Sequence, residues 1–246
     1  MHIPGAVHIL ARELGDIFGA RLQSLAAYGL HAPGTAHDAS KPAAGAGHGA
    51  PARTHTLAIV DVVTKADLEA CANRVDAWHD SGLATPLLLG AREFESSLDA
   101  FPLEFGAILA DYAVVAGRNP FEGLSVDPAD LRRACEVQAR SHLLHLREGF
   151  LETRGRADAL AVLIVRSAAP FAALLTSMAR LEGIDTHDTA AVGRHAERRL
   201  DTTGGSVTDV VTLAGVTEIS SEEARKIFPR YLDVVERLVA YVDGWR

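Results

Sequence analysis

The chain has 246 residues, 48% of them apolar, and a formal net charge of -8. This length suits one large domain or two small ones, and the apolar content is enough to bury a core without disulfides. Two cysteines are too few for a secreted disulfide framework, and no signal-peptide pattern follows Met1, so a cytoplasmic location is predicted. Acidic and basic residues are mixed without a basic stripe, so nucleic acid is not an expected partner.

The first half of the chain alternates between helix and strand patterns. Apolar residues at helical spacing predict a helix over residues 7–18, and a short apolar run predicts a strand over 22–28 that stops at Gly29. Further along, the patterns predict a strand at 56–63, a helix at 65–80 capped by Thr64, a strand at 86–89, a short helix at 91–98 and a fourth strand or extended segment at 101–109 that runs into helix.

The segment from residue 31 to residue 53 consists of Ala, Gly, Pro, His and Ser with hardly a large apolar side chain. Such a sequence cannot bury enough apolar surface to offset the entropy lost on ordering. We therefore predict a long mobile loop at 31–53.

The second half reads as helical throughout. The patterns predict a long helix that starts at Asp127-Pro128, an apolar helix at 156–181, shorter helices at 190–199 and 207–213, and a closing helix that Ser220 caps and Pro229 splits. The predicted fold class is therefore α+β: a small mixed-sheet α/β domain of residues 1–123, followed by a helical bundle of residues 124–246.

The apolar segment at 157–178 is long enough for the membrane question to arise, because about 20 such residues can cross a bilayer. Arg166 lies near its middle, and a charge at bilayer depth costs a few kcal/mol or more. We therefore predict a helix buried at the centre of the bundle and no membrane partner.

Two strand ends carry a resemblance to a known family. The first predicted strand ends in Tyr28-Gly29, and the second opens with Thr54-His55-Thr56. The order helix, strand ending in glycine, loop, strand and helix, followed by a helical bundle, resembles the nucleotidyltransferase superfamily of aminoglycoside-modifying and minimal nucleotidyltransferases. The resemblance implies a nucleotide or small ligand in a cleft between the two parts, beside Tyr28, Gly29, Thr54 and Thr56.

The departures from that family concern its metal ligands. Its first strand ends in Gly-Ser and its second opens with Asp-x-Asp, but here Leu30 replaces the serine, and Thr54 and Thr56 replace the aspartates. Glu104, in a phrase that resembles a later strand of the family, is the single candidate for the third carboxylate and belongs to the same implied site. Because one glutamate cannot hold two Mg²⁺ ions against their hydration, a two-metal pair is not expected. A nucleoside triphosphate is the candidate cofactor.

Three functions follow from this interpretation. The first is a non-catalytic descendant that binds a nucleotide, another small ligand or a protein partner. The second is a working nucleotidyltransferase with fewer or unusual metal ligands. The third is a toxin or antitoxin component, because Arg140 and His145 have the Arg-x4-His spacing that resembles HEPN ribonucleases. The sequence sets no oligomeric state.

Other polar residues have both a functional and a structural interpretation. His142, His145 and Glu148 could share one helix face and hold a metal, although a solvated helix face is favoured. Asp61 could replace a lost carboxylate, although capping of the following turn is favoured. The phrase Asp185-Thr186-His187-Asp188 could bind a cation, although capping of a helix by its Asp and Thr side chains is favoured.

Overall fold

The computed structural model describes residues 3–30, 53–184 and 186–245. These residues form two compact units, one made of residues 3–30 and 53–127, the other of residues 128–184 and 186–245. Residues 31–52, nearly all of the predicted mobile loop, lie outside the described residues.

The first unit contains a four-stranded mixed sheet in the order β3-β2-β1-β4. Strand β1 is antiparallel to both β2 and β4, whereas β2 and β3 are parallel. The elements are α1 (Gly5–Phe18), β1 (Leu22–Tyr28), β2 (His55–Val60), α2 (Lys65–Ala72), α3 (Val75–Asp80), β3 (Leu87–Gly90), α4 (Ala91–Glu95), α5 (Ser97–Ala100), α6 (Pro102–Ala110) and β4 (Tyr112–Gly117).

Each face of the sheet packs on its own helices, because successive side chains of a strand point to opposite faces. On one face, which we call the α1 face, Leu25, Ala27, Ala58 and Val60 pack against the buried side of α1. On the other, the α6 face, Ala26, Leu57 and Ile59 pack against aromatic and apolar side chains that include Phe105 and Ile108 of α6. The central strands β1 and β2 are therefore buried on both sides.

Two predictions for this unit are wrong. Residues 101–109 were expected to be extended, but Pro102 opens helix α6, where proline at the first position costs no hydrogen bond. The predicted helix over 65–80 is two helices, α2 and α3. The predicted cap is confirmed, since the Thr64 hydroxyl accepts a hydrogen bond from the Asp67 N–H.

The second unit is helical in all its described elements. These are α7 (Pro128–Thr153), α8 (Ala157–Leu181), α9 (Thr189–Arg199), α10 (Ser206–Val211) and α11 (Ser221–Asp243). A mixed sheet followed by a helical bundle confirms the predicted α+β class.

Two helices of this unit run through a proline. Helix α8 contains Pro170, and α11 contains Pro229, so the predicted split of the closing helix is wrong. Proline costs about 3 kcal/mol inside a helix, but α11 buries apolar side chains on both sides of it, including Ile227 and Val234. The Ser220 cap is confirmed, because its hydroxyl accepts from the Glu223 N–H at 3.1 Å.

Helix α8 is long and apolar enough to cross a membrane by length and composition. The core helix of a bundle meets the same criteria, and α8 packs against α7, α9, α10 and α11. Its buried residues include Ile164, Phe171 and Leu175. These contacts place α8 within the helical unit.

A polar pair lies inside the core of the helical unit. Tyr231 of α11 is fully buried, and its hydroxyl oxygen lies 2.6 Å from Nε2 of His142 on α7. The same hydroxyl donates to the backbone carbonyl of Ser167 at 3.3 Å. The Phe171 ring stacks on the His142 imidazole at 5.3 Å and meets the Tyr231 ring edge-on at 5.1 Å. The pair therefore links α7, α8 and α11 at one point.

This burial predicts a specific pH dependence of stability. Desolvation lowers the pKa of His142 from 6.5 to about 4. Between these pH values the unfolded chain binds a proton that the folded chain does not. The free energy of unfolding therefore keeps its full value above pH 6.5 and falls as the pH drops toward 4. This pKa shift corresponds to a loss of about 3 kcal/mol in the free energy of unfolding.

Urea denaturation of the wild type and of His142→Gln across this pH range tests the expectation. Because carboxylates titrate in the same pH range, the quantity to compare is the difference in the free energy of unfolding between the two proteins. That difference should shrink as the pH falls, and a constant difference would contradict a neutral buried His142.

Each unit contains one buried thiol. Cys71 lies in α2 and Cys135 in α7, and both are free. Burial raises the pKa of both thiols, that of Cys135 to about 12. Both side chains are therefore protonated apolar groups of the two cores.

Candidate functional site

Strand β1 ends in a turn that requires glycine. Gly29 has φ +66°, a conformation that side chains other than glycine rarely adopt. Its N–H donates to the backbone carbonyl of Asp111 at 2.9 Å, which ties the end of β1 to the start of β4. A Cβ added to Gly29 would meet no atom of the described residues within 4 Å. The glycine is thus required by the backbone conformation and not by crowding from those residues.

Three rings lie in a row across the strands at this end of the sheet. Tyr28 pairs with His55 of β2 on one side and with Tyr112 of β4 on the other. The Tyr28 and His55 rings are 5.6 Å apart, and Asn119 Nδ2 donates to the Tyr112 hydroxyl at 3.2 Å. All three rings are half-buried. We call the set Tyr28, His55 and Tyr112 the ring row.

The two threonines at the predicted carboxylate positions are held differently. Thr54 precedes β2, and its backbone bonds both Gly82 and Ala84 at 2.9 Å. Thr56 is 1% exposed, and its hydroxyl has no hydrogen-bond partner among the described residues. Since Leu57 faces α6 and Ala58 faces α1, Thr56 points to the α1 face. Its side chain is enclosed.

Glu104 lies in the first turn of α6, on the other side of the sheet. The prediction placed it on a strand beside the threonines, but α6 packs on the α6 face while Thr56 points to the α1 face. The structure therefore does not bring Glu104 and Thr56 together. No hydrogen bond or ion pair joins Glu104 to another residue of the described ranges.

Sequence reasoning missed a buried acidic residue near Gly29. Asp111 follows α6 directly, is 6% exposed, and accepts the Gly29 N–H through its backbone carbonyl. The only signal for it was its position just before the apolar run that forms β4. Asp111 comes just after the C-terminal end of α6, whereas Glu104 lies in the first turn of that helix.

No candidate metal site emerges from the described ranges, in which no three His, Cys, Asp or Glu side chains form a group that could hold an ion. His142 is buried against Tyr231, whereas His145 is exposed and lies 3.4 Å from Glu148. The favoured interpretation, a solvated helix face, therefore holds for His145 and Glu148 but is wrong for His142.

Arg140 and His145 also point apart. They are five residues apart on α7, which is about 140° around the helix. Arg140 pairs with Glu136 and with Asp243, at 2.5 and 2.7 Å, and both side chains of the predicted pair are exposed. The contacts of Arg140 are those of surface ion pairs within the helical unit.

The remaining acidic candidates have structural contacts. Asp61 accepts a hydrogen bond from the Gln23 side-chain amide, across the strands rather than within the following turn. Asp188 caps α9 as predicted, since its Oδ1 accepts from the Ala190 N–H at 2.9 Å.

A polar cluster in the helical unit was also missed. One Glu182 carboxylate oxygen accepts from His195 and Arg199, each at 2.6 Å, and the other accepts from the Tyr241 hydroxyl at 2.5 Å. Burial raises the pKa of Glu182, but the hydrogen bonds from Tyr241, Arg199 and His195 outweigh it and the net shift is downward. The adjacent pocket has room for about one water molecule. This cluster holds α9 and α11 to the end of α8 and has no room for a nucleotide.

The mixed sheet with its glycine turn, followed by a helical bundle, is a nucleotidyltransferase-like fold. The chain is similar to the spectinomycin adenyltransferase of Enterococcus faecialis, whose crystal structure contains ATP and spectinomycin. The TM-score is 0.56 and the identity 10%, over 95% of this chain and 98% of the other. At this identity the likeness establishes the fold. No family model and no curated protein matches the chain.

Proposed function

We propose that this chain is a nucleotidyltransferase-fold protein that no longer transfers nucleotides by the two-metal route and binds a nucleotide or a similar small ligand beside Tyr28 and Gly29. The observation that carries the proposal is the burial of the uncharged Thr56 side chain. The resemblance places a metal-binding aspartate there, but the side chain is neutral and 1% exposed. A metal ion cannot reach an enclosed hydroxyl at this position.

The other acidic residues do not replace the lost ligands. Two-metal catalysis requires ions about 3.5–4 Å apart, held by carboxylates that converge on both. Glu104 lies on the opposite face of the sheet from Thr56. In the described part of the chain, no three His, Cys, Asp or Glu side chains form a group that could hold an ion.

Two features at the end of β1, the turn at Gly29 and the ring row, support ligand binding. Gly29 holds a left-handed turn, and no atom of the described residues lies within 4 Å of a Cβ added there. Its own N–H is taken by the Asp111 carbonyl, so what it contributes is space for a ligand and not a donor. The ring row adds flat, half-buried surfaces next to that turn. The similar adenyltransferase was solved with ATP, which makes ATP the first ligand to test.

Thermal unfolding with ATP, GTP and CTP, each with and without Mg²⁺, tests binding. A nucleotide at about 100 times its Kd stabilises the folded state by about 2.7 kcal/mol, which is a Tm increase of several degrees at this chain length. We expect this increase without metal, and we expect Tyr28→Ala to abolish it. Phe101→Ala removes an exposed aromatic side chain of the same unit and should leave the increase unchanged.

The active-enzyme alternative predicts a different result. Metal-dependent release of pyrophosphate from a nucleoside triphosphate, with transfer to a small acceptor and loss of activity in Glu104→Ala, would overturn the proposal. If no nucleotide shifts the Tm, the binding half fails and a protein partner becomes the preferred interpretation of the fold. A cytoplasmic location stays part of the proposal.

A further inference from the structure

The arginine just before β2 differs from the other half-buried arginines of the α/β unit. Arg21 pairs with Asp67 at 2.7 Å, and Arg74 pairs with Glu13 at 3.2 Å. Arg53 is also half-buried, but no hydrogen bond or ion pair joins its side chain to another residue in the described ranges. Charges that are taken out of water are normally paired, because their removal costs free energy. Arg53 carries part of this cost without a protein contact that offsets it.

The backbone places Arg53 at the strand end that carries the ring row. Thr54, the next residue, is fixed, since its N–H and its carbonyl each make a 2.9 Å hydrogen bond to the segment that precedes β3. Side chains two residues apart along a strand lie on the same face, with their backbones roughly 7 Å apart. Arg53 therefore lies on the face of the sheet that carries His55 of the ring row, at the end of the sheet where Gly29 turns.

The residues that follow Arg53 leave its charge available. Aspartates at positions 54 and 56 would be natural partners for a neighbouring guanidinium, but Thr54 and Thr56 are neutral. The same replacement removes the carboxylates that would bring Mg²⁺ to a phosphate. A guanidinium is a permanent positive charge, and its N–H groups can bind two phosphate oxygens at once. Arg53 can thus neutralise a phosphate without a metal ion.

We propose that Arg53 binds a phosphate or polyphosphate group of the ligand, while the ring row contacts the flat part of the same molecule. This inference rests on the proposed ligand binding and adds to it the chemical class of the ligand, a phosphate ester, and the residue that recognises its charge. Binding then needs no divalent cation. Because the contact is between charges and is partly exposed to solvent, the affinity falls as the ionic strength rises.

Titration of ATP and of inorganic triphosphate into the full chain, without Mg²⁺ and in a buffer free of phosphate, tests the role of Arg53. We expect Arg53→Gln to raise the Kd of both by at least about tenfold, the effect of losing hydrogen bonds to a charged group. Tyr28→Ala should weaken ATP but leave triphosphate unchanged. The matched control is Arg92→Gln, which removes an exposed arginine just after β3, at the opposite end of the sheet; it should bind both as the wild type does.

The outcomes separate the role of Arg53 from the proposed function. ATP binding that Arg53→Gln leaves unchanged would overturn the role of Arg53 and keep the proposed function. Binding of triphosphate that requires Arg53, with no binding of ATP, would support the anion site and remove the nucleotide from the proposed function. If neither molecule binds the wild type, both proposals are wrong.

The ligand-free Arg53→Gln protein provides a second measurement. Because no ion pair of Arg53 is lost among the described residues, its Tm should equal or exceed that of the wild type. A Tm lowered by several degrees would show that the side chain supports the fold, and would overturn its assignment to a ligand.

Discussion

Replacing Tyr231 with alanine is expected to lower the free energy of unfolding of the helical unit by about 3–5 kcal/mol, as for other large buried side chains. The side chain is fully buried where α7, α8 and α11 meet. Its loss leaves a cavity beside Phe171 and also removes the hydrogen-bond partner of His142. Urea denaturation followed by far-UV circular dichroism at pH 7.5, where His142 is neutral, measures the change.

Tyr231→Phe separates the two contributions. It keeps the ring and removes only the hydroxyl, so the expected loss is about 1–3 kcal/mol, the cost of leaving a buried polar group unpaired. If both variants lose the same free energy of unfolding, the ring adds nothing to stability, and a packing role for Tyr231 between α7, α8 and α11 is refuted.

Gly117→Ala is expected to destabilise the α/β unit by at least about 3 kcal/mol, because a left-handed backbone and a close contact act together. Gly117 has φ +77°, and a Cβ added there would lie 2.0 Å from the backbone oxygen of Gln23 on β1. A backbone atom cannot turn away as a side chain can. The end of β4 must therefore separate from β1.

Gly123→Ala is the matched control for this prediction. Gly123 has nearly the same φ, +75°, but no atom of the part of the chain that the structure describes lies within 4 Å of an added Cβ. We expect a loss of about 1–2 kcal/mol from the backbone conformation alone. Denaturant unfolding measures both losses. Equal losses of unfolding free energy in Gly117→Ala and Gly123→Ala would contradict the prediction, because the contact with the Gln23 backbone would then add no destabilisation.

The elements that could be predicted are those in which the local sequence pattern matches the burial of the side chains in the structure. Strand β1 was predicted with its observed ends because an apolar run stops at a glycine that must adopt positive φ. Helices α1 and α11 followed from their apolar stripes and, for α11, from the Ser220 cap. Helix α6 was missed because a short apolar run fits either a strand or a helix, and only its packing on the sheet decides between them.

The site was predicted less well than the fold. Tyr28 and Gly29 lie at the strand end where the resemblance placed them. The relation between Thr56 and Glu104 could not be foreseen, because it depends on which face of the sheet each residue reaches. A one-residue change of register reverses that face. The polar contacts of Glu182 and His142 join residues that are far apart in the sequence, so no local pattern revealed them.

The two buried thiols give the molecule a pair of internal reporters. A reagent that reacts with thiolates can modify Cys71 only when the α/β core opens, and Cys135 only when the helical core opens. The modification rates of the unaltered chain therefore report the opening of each unit separately, in one sample and without an introduced label. Binding of a nucleotide beside Gly29 should slow the reaction of Cys71 and leave that of Cys135 unchanged.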